Sequence, residues 1–328
     1  MHHSTKWFGM PYFMGIDGGG SRTTACVGDE SGRILSRETR GPSNPCKVGL
    51  ATAQRHLLAA ARGAVRKSGL RQQRLEAVCA GIAGIDRPSM HRKLEAGLRQ
   101  AIPARNYLLT TDGITALEAA LGESSGVIVI SGTGSIAYAR AEDGRILRCG
   151  GWGSMFDDAG SGYDMGRKAI AAALRSFDGR GSQTRLAADL CKVMNLRSIT
   201  EVVGAALPPH RIAALFPVVE RAALDGDAVA RKLCQDAGKD LAELAWALLK
   251  RIGALNQNSR VVCAGGVFKS SAGIRRSFAK HVHQNGLRIR VTALQRDAVE
   301  GALALAKAVA DGRRIGAGGS MREGEACL

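Results

Sequence analysis

The sequence predicts an α/β chain made of two halves of one design, and three observations predict it. The first is a repeated pattern. "MGIDGGGSRTTACVGDESGRIL" from Met14 and "VIVISGTGSIAYARAEDGRIL" from Val127 both run from a short apolar stretch through a glycine-rich turn into an alternating segment that closes on Gly-Arg-Ile-Leu. The turns lie at Asp17 to Ser21 and Ser131 to Ser135. Two hairpins of one layout, a little over a hundred residues apart, read as a duplication, and a repeat that occurs twice at this range is no solenoid. The second observation is the alternation of helical and strand periodicity after each hairpin. The third is length, since 328 residues suit two lobes that each bury a core.

The elements follow in order. After the first hairpin, "RGPSNPCKVG" has two prolines and Asn44 and reads as irregular backbone. Leu57, Leu58, Ala61 and Val65 then recur at helical spacing, with Gly69 as a stop. "LEAVCAGIAGI" reads as a buried strand, "RPSMHRKLEAGLRQAI" as a helix with Pro88 in its first turn, and "RNYLLTTDG" as a strand with the helix "GITALEAALG" behind it. Past the second hairpin, residues from about Ser161 to Gly253 are helical in pattern, with Leu241, Leu244, Leu248 and Ile252 on one stripe. The strand "SRVVCAGGV", the helix "SSAGIRRSFAKHV", the strand "LRIRVTAL" and the helix "AVEGALALAKAVA" complete the pattern. The expected division is 12–117 for the first lobe, 118–296 for the second with its helical insertion, a helix over 297–311 packing back on the first lobe, and a disordered tail over 312–328.

Composition narrows the function. The longest aliphatic run, near Val127 to Ile130, is far short of a membrane span, and "MHHSTKWFGMPYF" lacks the apolar core of a secretory signal, so the expected location is the cytoplasm. Eight cysteines are scattered without a CxxC pair, which points to neither zinc nor a disulfide framework and favours buried small apolar side chains. The seven histidines show no metal spacing and read as surface residues, and no exposed apolar patch is identifiable. The formal charge of +17 raises nucleic acid as a partner. Arg55, Arg62, Arg66, Arg71 and Arg74 are spread without interleaved aromatics, however, so the expectation is a solvated basic surface whose field suits polyphosphate, with neither nucleic acid nor membrane as partner.

The turns carry the chemistry. "DGGGS" neither opens a helix, as a dinucleotide loop does, nor precedes the Lys-Ser/Thr of a P-loop. It joins two strands. Three glycines after an acid remove side chains, so that backbone N–H groups can close on phosphate oxygens; the plain alternative is a hairpin turn. Asp112 falls where a strand gives out and a helix begins, which fits a carboxylate facing a cleft as well as an N-cap.

A duplicated fold whose halves each begin with a glycine-turn hairpin resembles the actin, hexokinase and Hsp70 superfamily, with its duplicated ribonuclease H-like, actin-like ATPase fold and two lobes around a nucleotide cleft. Within it, "GIDGGGSRT", "GPSNP", "TTDG", "SGTGS" with "CGGWGSMFDDAGSGYDMG", and "CAGGVFKS" are similar to the N-acetylglucosamine kinase branch of the BadF/BadG/BcrA/BcrD-type ATPases. The resemblance implies ATP and Mg²⁺ as cofactors and an amino sugar as substrate, most simply N-acetylglucosamine giving its 6-phosphate, with glucosamine and N-acetylmuramic acid as alternatives. It implies Asp17 near Mg²⁺ through water, and Gly18, Gly19, Gly20, Ser21, Gly132, Thr133 and Gly134 on phosphate. It implies Gly265 and Gly266 on the adenosine side, Ala213 at the adenine, and Asp112 as the general base. Asn44, Thr133, Gly151, Trp152 and Asp158 are the implied sugar contacts, beside Asp112 itself.

Taken by themselves, Gly265 and Gly266 also fit a simple βα bend, and Trp152 a core residue. Relatives commonly show Gly-Asp-Glu-Gly-Ser where this chain has "DDAGS", so Asp157 replaces a glycine and Ala159 an acid, which bears on sugar preference. Relatives are often dimers, so the resemblance allows a homodimer. Two other readings are an activator ATPase of 2-hydroxyacyl-CoA dehydratases or benzoyl-CoA reductases, with Cys149 near an iron–sulfur cluster, and a non-catalytic sugar- or ATP-sensing module.

Overall fold

A computed structural model of the chain describes residues 10–70, 73–85, 88–255, 259–283, 289–313 and 315. The chain forms two compact units, one carrying it to Ser124 and again from Gln295, the other Ser125–Leu294.

The first unit opens with strands β1 (Tyr12–Gly18), β2 (Thr23–Asp29) and β3 (Ile34–Arg40), then helices α1 (Pro45–Val48) and α2 (Leu50–Ser68). Strand β4 (Leu75–Ile82), helix α3 (Pro88–Ala101), strand β5 (Ala104–Thr110) and helix α4 (Asp112–Leu121) follow. The sheet runs β3-β2-β1-β4-β5, antiparallel across β1, β2 and β3 and parallel from β1 through β4 to β5. Strands β1 and β2 are buried nearly throughout, as strands covered on both faces must be. Met14, Ile16 and Val78 of the sheet pack with Leu57, Ala61 and Ala64 of α2 and Leu94 of α3.

The second unit repeats the plan. It has strands β6 (Gly126–Ser131), β7 (Ser135–Arg140) and β8 (Ile146–Gly150), then helices α5 (Gly162–Phe177), α6 (Leu186–Met194), α7 (Pro209–Ala213), α8 (Phe216–Leu224) and α9 (Ala228–Arg251), with a 3-10 helix over Ile199–Gly204. Strand β9 (Arg260–Ala264), helices α10 (Gly266–Ser270) and α11 (Ala272–Val282) and strand β10 (Arg290–Ala293) complete it. The order β10-β9-β6-β7-β8 has the same strand directions as the first sheet, so the duplication seen in the two hairpins extends to whole sheets. Leu241 and Leu248 of α9 join Val127 and Val129 of β6 and Phe278 of α11 in its core, where the Phe268 and Phe278 rings meet edge-to-face at 5.0 Å.

After β10 the chain returns to the first unit as α12 (Ala298–Ala310). Glycines let this helix lie against the sheet. A Cβ on Gly15 of β1 would stand 2.4 Å from Leu303 N and 2.6 Å from Val299 O, and one on Gly301 would stand 2.1 Å from Thr115 O of α4. The units divide after Ser124 and Leu294, against sequence boundaries drawn after 117 and 296, because α4 runs on to Leu121.

Several expectations need correction. The "RGPSNPCKVG" segment is not irregular throughout. It holds α1, because Pro45 pre-sets the backbone of a first turn and the Asn44 side chain accepts from Cys46 N at 2.9 Å. The tail after Asp311 is fixed at its start, where Arg313 pairs with Glu118 at 2.9 Å and with Glu123; residues 314 and 316–328 lie outside the described set. Three histidines are not simple surface groups: half-buried His56, His91 and His281 have a ring nitrogen 2.8, 3.1 and 2.8 Å from the carbonyls of Pro42, Leu109 and Ser277. Cys26, Cys79, Cys234 and Cys263 are buried, whereas Cys46 is exposed and Cys149 and Cys191 half-buried; Cys327, His2 and His3 lie outside the described residues.

The close approach of α12 to β1 predicts that Gly15→Ala lowers the urea midpoint by an amount equivalent to about 1–3 kcal/mol or more, since the obstructing atoms are backbone. Gly204→Ala, whose Cβ meets nothing within 4 Å, leaves the midpoint within about 0.5 kcal/mol. Equal midpoints for Gly15→Ala and wild type would contradict the packing.

Candidate active site

The first glycine turn is tied on both sides. Gly19 N donates to Arg22 O at 2.9 Å and closes the bend, while Gly19 O accepts from Ser43 N and Gly18 O from Ala83 N at 3.2 and 2.8 Å. The "PSNP" segment is wedged against it: a Cβ on Gly18 would stand 2.3 Å from Ser43 Oγ, and one on Gly84 2.5 Å from Asn44 Oδ1. Half-buried Asn44 uses its Oδ1 to cap α1. Ser21 is exposed, and the side chain of Lys47 lies over Gly20, its Nζ 3.8 Å from where a Cβ would be. Lys47 escaped the sequence reading because a lysine in a short loop carries no spacing signal.

Asp17 is the penultimate residue of β1, just before this turn. Its carboxyl is pushed up to about 7, first by desolvation, then by the charge of Asp112 and more weakly Asp297, with Arg22 opposing. The two acids singled out from sequence therefore act on each other. Asp112 is half-buried at the first position of α4, and the N-cap is Thr111, one residue earlier than the sequence alternative supposed. Thr115 Oγ1 donates to the Asp112 carbonyl at 2.9 Å, and a Cβ on Gly81 would stand 2.4 Å from Thr115 Cγ2, so glycine in β4 lets the start of α4 settle on the sheet beside Asp17. Asp297, which entered the sequence only as a domain boundary, precedes α12 and pairs with Arg37 at 2.8 Å.

In the second unit the turn of Gly132, Thr133 and Gly134 is laced to "DDAGSG". Gly132 N donates to Gly134 O at 2.9 Å, Ser131 Oγ to Gly160 O at 2.9 Å, Ser135 Oγ to Ala159 O at 2.8 Å and Ser135 N to Asp158 Oδ1 at 3.2 Å. The carbonyls of Gly132 and Thr133 accept from Gly162 N and Tyr163 N, so the start of α5 abuts the turn. Asp158 is buried with φ of 68°, a left-handed backbone rare for a residue with a side chain. Burial raises its carboxyl above the ordinary range, the Ser135 N–H opposes, and Asp157 and Asp164 add to the rise. A Cβ on Gly134 would stand 2.8 Å from Asp158 Oδ2, so this acid fills the space that the glycine leaves.

Other predicted residues gather at the same turn. A Cβ on Gly265, at φ of 97°, would stand 2.1 Å from Ser131 O, which places the β9–α10 bend directly under the turn; Gly266 beside it is open. Ala213 closes α7 with its carbonyl 3.3 Å from where a Cβ on Gly162 would be. Gly132, Gly134, Asp158, Ala213 and Gly265 thus form one cluster within this unit. Asp164, which the sequence reading missed, supports it by accepting from Gly160 N at 3.0 Å while pairing with Arg167 and Lys168 at 3.1 and 2.7 Å.

The "GGWG" loop lies further along the chain from β8. Gly150, Gly151 and Gly153 all have φ between 72° and 96°. Arg148 donates to the carbonyls of Gly150 and Gly151 at 3.1 and 2.7 Å and stacks on the Trp152 ring at 4.8 Å. Trp152 is 58% exposed, which rules out the core alternative. Asp157 accepts from Trp152 N at 3.4 Å, so the acid that departs from the relatives' pattern closes this loop. Met155 and Phe156 in the same loop are 83% and 82% exposed. Burial pushes the half-buried Cys149 thiol up, which disfavours the thiolate an iron–sulfur cluster needs.

Known proteins resemble this chain over most of its length. N-acetylmuramic acid/N-acetylglucosamine kinase of Clostridium acetobutylicum is 32% identical over 306 residues, 92% of this chain and 100% of its own. N-acetyl-D-glucosamine kinase of Dictyostelium discoideum is 28% identical over 74% of this chain and 80% of its own. Among solved structures, a candidate N-acetylglucosamine kinase from Chromobacterium violaceum superposes with a TM-score of 0.76 at 28% identity, covering 90% of this chain and 99% of that one. The ROK hexokinase of Thermus thermophilus shares the fold at a TM-score of 0.56 and 20% identity, over 90% and 97% of the two chains. With residues 14–306 matching the model of the BadF/BadG/BcrA/BcrD ATPase family, the chain belongs to that family.

Proposed function

We propose that the chain is an ATP-dependent kinase of an amino sugar, with N-acetylglucosamine as the first candidate and its 6-phosphate as product. The observation that carries the reading is the pair of acids in the first unit, Asp17 as the penultimate residue of β1 before a glycine turn and Asp112 opening α4, close enough for the charge of Asp112 to raise the carboxyl of Asp17. Support for the substrate class comes from the relatives named as kinases of N-acetylmuramic acid and N-acetylglucosamine, of N-acetyl-D-glucosamine and, at 29% identity over 71% of this chain and 78% of its own, of glucosamine in Vibrio cholerae.

In this reading the turns at Gly18–Ser21 and Gly132–Gly134 bind phosphate oxygens through the backbone N–H groups other than those of Gly19 and Gly132, which close the turns, and Gly265, Gly266 and Ala213 receive the nucleoside. Asn44, Thr133, Gly151, Trp152 and Asp158 orient the sugar. Asp112 accepts the proton of the sugar hydroxyl as its oxygen bonds to the γ-phosphorus and the bond to the β-phosphate oxygen breaks, releasing ADP. Asp17 fits Mg²⁺: an acid whose ionisation a neighbouring carboxylate opposes gains from a cation, and Mg²⁺ characteristically sits on one or two carboxylates, water and substrate phosphates. The ion would neutralise charge on the phosphates.

A coupled ADP-release screen over N-acetylglucosamine, glucosamine, N-acetylmannosamine, N-acetylmuramic acid and glucose tests the substrate class, and ADP release with glucose alone would contradict it. Asp112→Asn should lower turnover on the order of 10²-fold or more while nucleotide and sugar affinities stay within about tenfold. Unchanged turnover would remove Asp112 from its role.

The raised carboxyl of Asp17 sets a pH dependence. Unfolded, this group ionises near an ordinary value of about 4; folded, it keeps its proton to about 7. The folded chain binds the extra proton between those values, so this group's contribution to stability is full below the unfolded value and lost as pH rises to about 7. Asp17→Asn should therefore melt higher than wild type at pH 8, with the difference shrinking towards pH 4, and should bind Mg·ATP more weakly. A lower melting temperature for the variant at pH 8 would contradict the assignment.

A further inference from the structure

A cleft of about 700 Å³ opens between α8, α9 and α11 in the second unit. We propose that it is a second binding site, for the phosphate group of a small anionic molecule. Five cations converge on it: Arg231, Lys232 and Lys239 from α9, and Arg276 and Lys280 from α11. Only Glu220 and Asp236 oppose them in the lining, and Asp236 is already paired with Lys232. Arg231 directs its Nε to Ala223 O at 3.1 Å. Lys239, Arg276 and Lys280 make no ion pair with any described residue. Arg276 and Lys280 are exposed and stand four residues apart on one helix face, an arrangement of like charges that weakens a helix and that a bound anion relieves.

The floor of the cleft is closed by groups that already have partners. Ser277 Oγ donates to Gln235 O at 2.7 Å, and the Cys234 thiol faces Glu220 Oε2 at 3.8 Å. The unmatched positive charge therefore lies on the walls. The volume matches sites for small organic molecules. Apart from His281 the lining has no aromatic ring, so it lacks the stacking platform on which single-stranded nucleic acid is held. Ala223 and Leu224 add an apolar edge suited to the carbon skeleton of a phosphate ester, and arginine and lysine are the usual phosphate donors.

This cleft is distinct from the candidate active site. The glycine-turn cluster lies on another face of α9, where a Cβ on Gly160 would stand 2.7 Å from Ala237 O and Leu241 Cγ. Occupation of one leaves the other free.

The test is calorimetric titration of the full chain with inorganic pyrophosphate and, separately, with glucosamine 6-phosphate. Each is run with and without a saturating non-hydrolysable ATP analogue and N-acetylglucosamine. With the analogue and sugar saturating the active site, the expected result is one remaining site per chain with Kd below about 1 mM for at least one probe, weakened by salt. Affinity should fall tenfold or more in the double variant Arg276→Ser/Lys280→Ser, with ATP-analogue binding unchanged. The tighter probe identifies the source of the phosphate. Should the double variant fail to fold, Lys239→Gln is expected to weaken binding at least threefold. No binding of either probe at 10 mM, about the weakest affinity worth assigning, would overturn the proposal, as would equal affinity in the variants. Loss of analogue binding alone would count against the kinase reading and leave this site standing.

Discussion

A methyl group cannot be added at several of the positions on which the site is built. Beneath the second turn a Cβ at Gly265 would collide with Ser131 O at 2.1 Å, and beside it one at Gly134 would meet Asp158 at 2.8 Å. At the first turn the same holds for Gly18 against Ser43 at 2.3 Å. These contacts mean that each turn is held from beneath by a neighbouring loop, so its conformation is set before any ligand arrives. Preorganised N–H groups cost little to align when charge develops, which is how backbone alone can serve as a phosphate cradle. The "PSNP" and "DDAGSG" segments are thus first of all supports for the turns, through Ser43 in the first and Asp158 in the second.

Electrostatics in the first unit follows from the same close packing. Gly81 lets α4 begin against β4, which brings the Asp112 charge into the field of half-buried Asp17. Two acids in one desolvated corner cannot both ionise at low cost. One keeps its proton to about pH 7 in the absence of a cation. A carboxylate so placed is well suited to exchange a proton for a metal ion near neutral pH.

Much of this was legible in the sequence. The paired hairpins, which share the Gly-Arg-Ile-Leu ending, predicted two sheets of one topology, and both sheets have the strand order and directions of the other. Strand and helix periodicity located β4, α3, β5, α9 and α11, because each alternates or stripes over a length sufficient to outweigh local exceptions. Asp17, Asp112 and the glycines of both turns could be singled out by their places at strand ends and by the family resemblance, with a plain hairpin turn as the other reading of the glycines. Short-range and long-range features were hidden. Helices α1 and α10 are four and five residues long and depend on a cap or a bend rather than a stripe. Lys47 over Gly20, Asp297 near Asp17 and the bond from Trp152 N to Asp157 arise from tertiary placement, which no spacing encodes. Trp152 defied its residue type because three glycines with left-handed backbone and the Arg148 stack hold it at the surface.

The central claim is that this corner of the fold moves phosphate from ATP to a sugar oxygen. Phosphorus NMR of the chain incubated with Mg·ATP and N-acetylglucosamine tests it most directly. The account predicts ADP and a phosphate monoester in equal amounts, the ester coupled to the two protons on carbon 6 of the sugar. ADP accompanied only by inorganic phosphate, or ATP left intact beside an unmodified sugar, would contradict it.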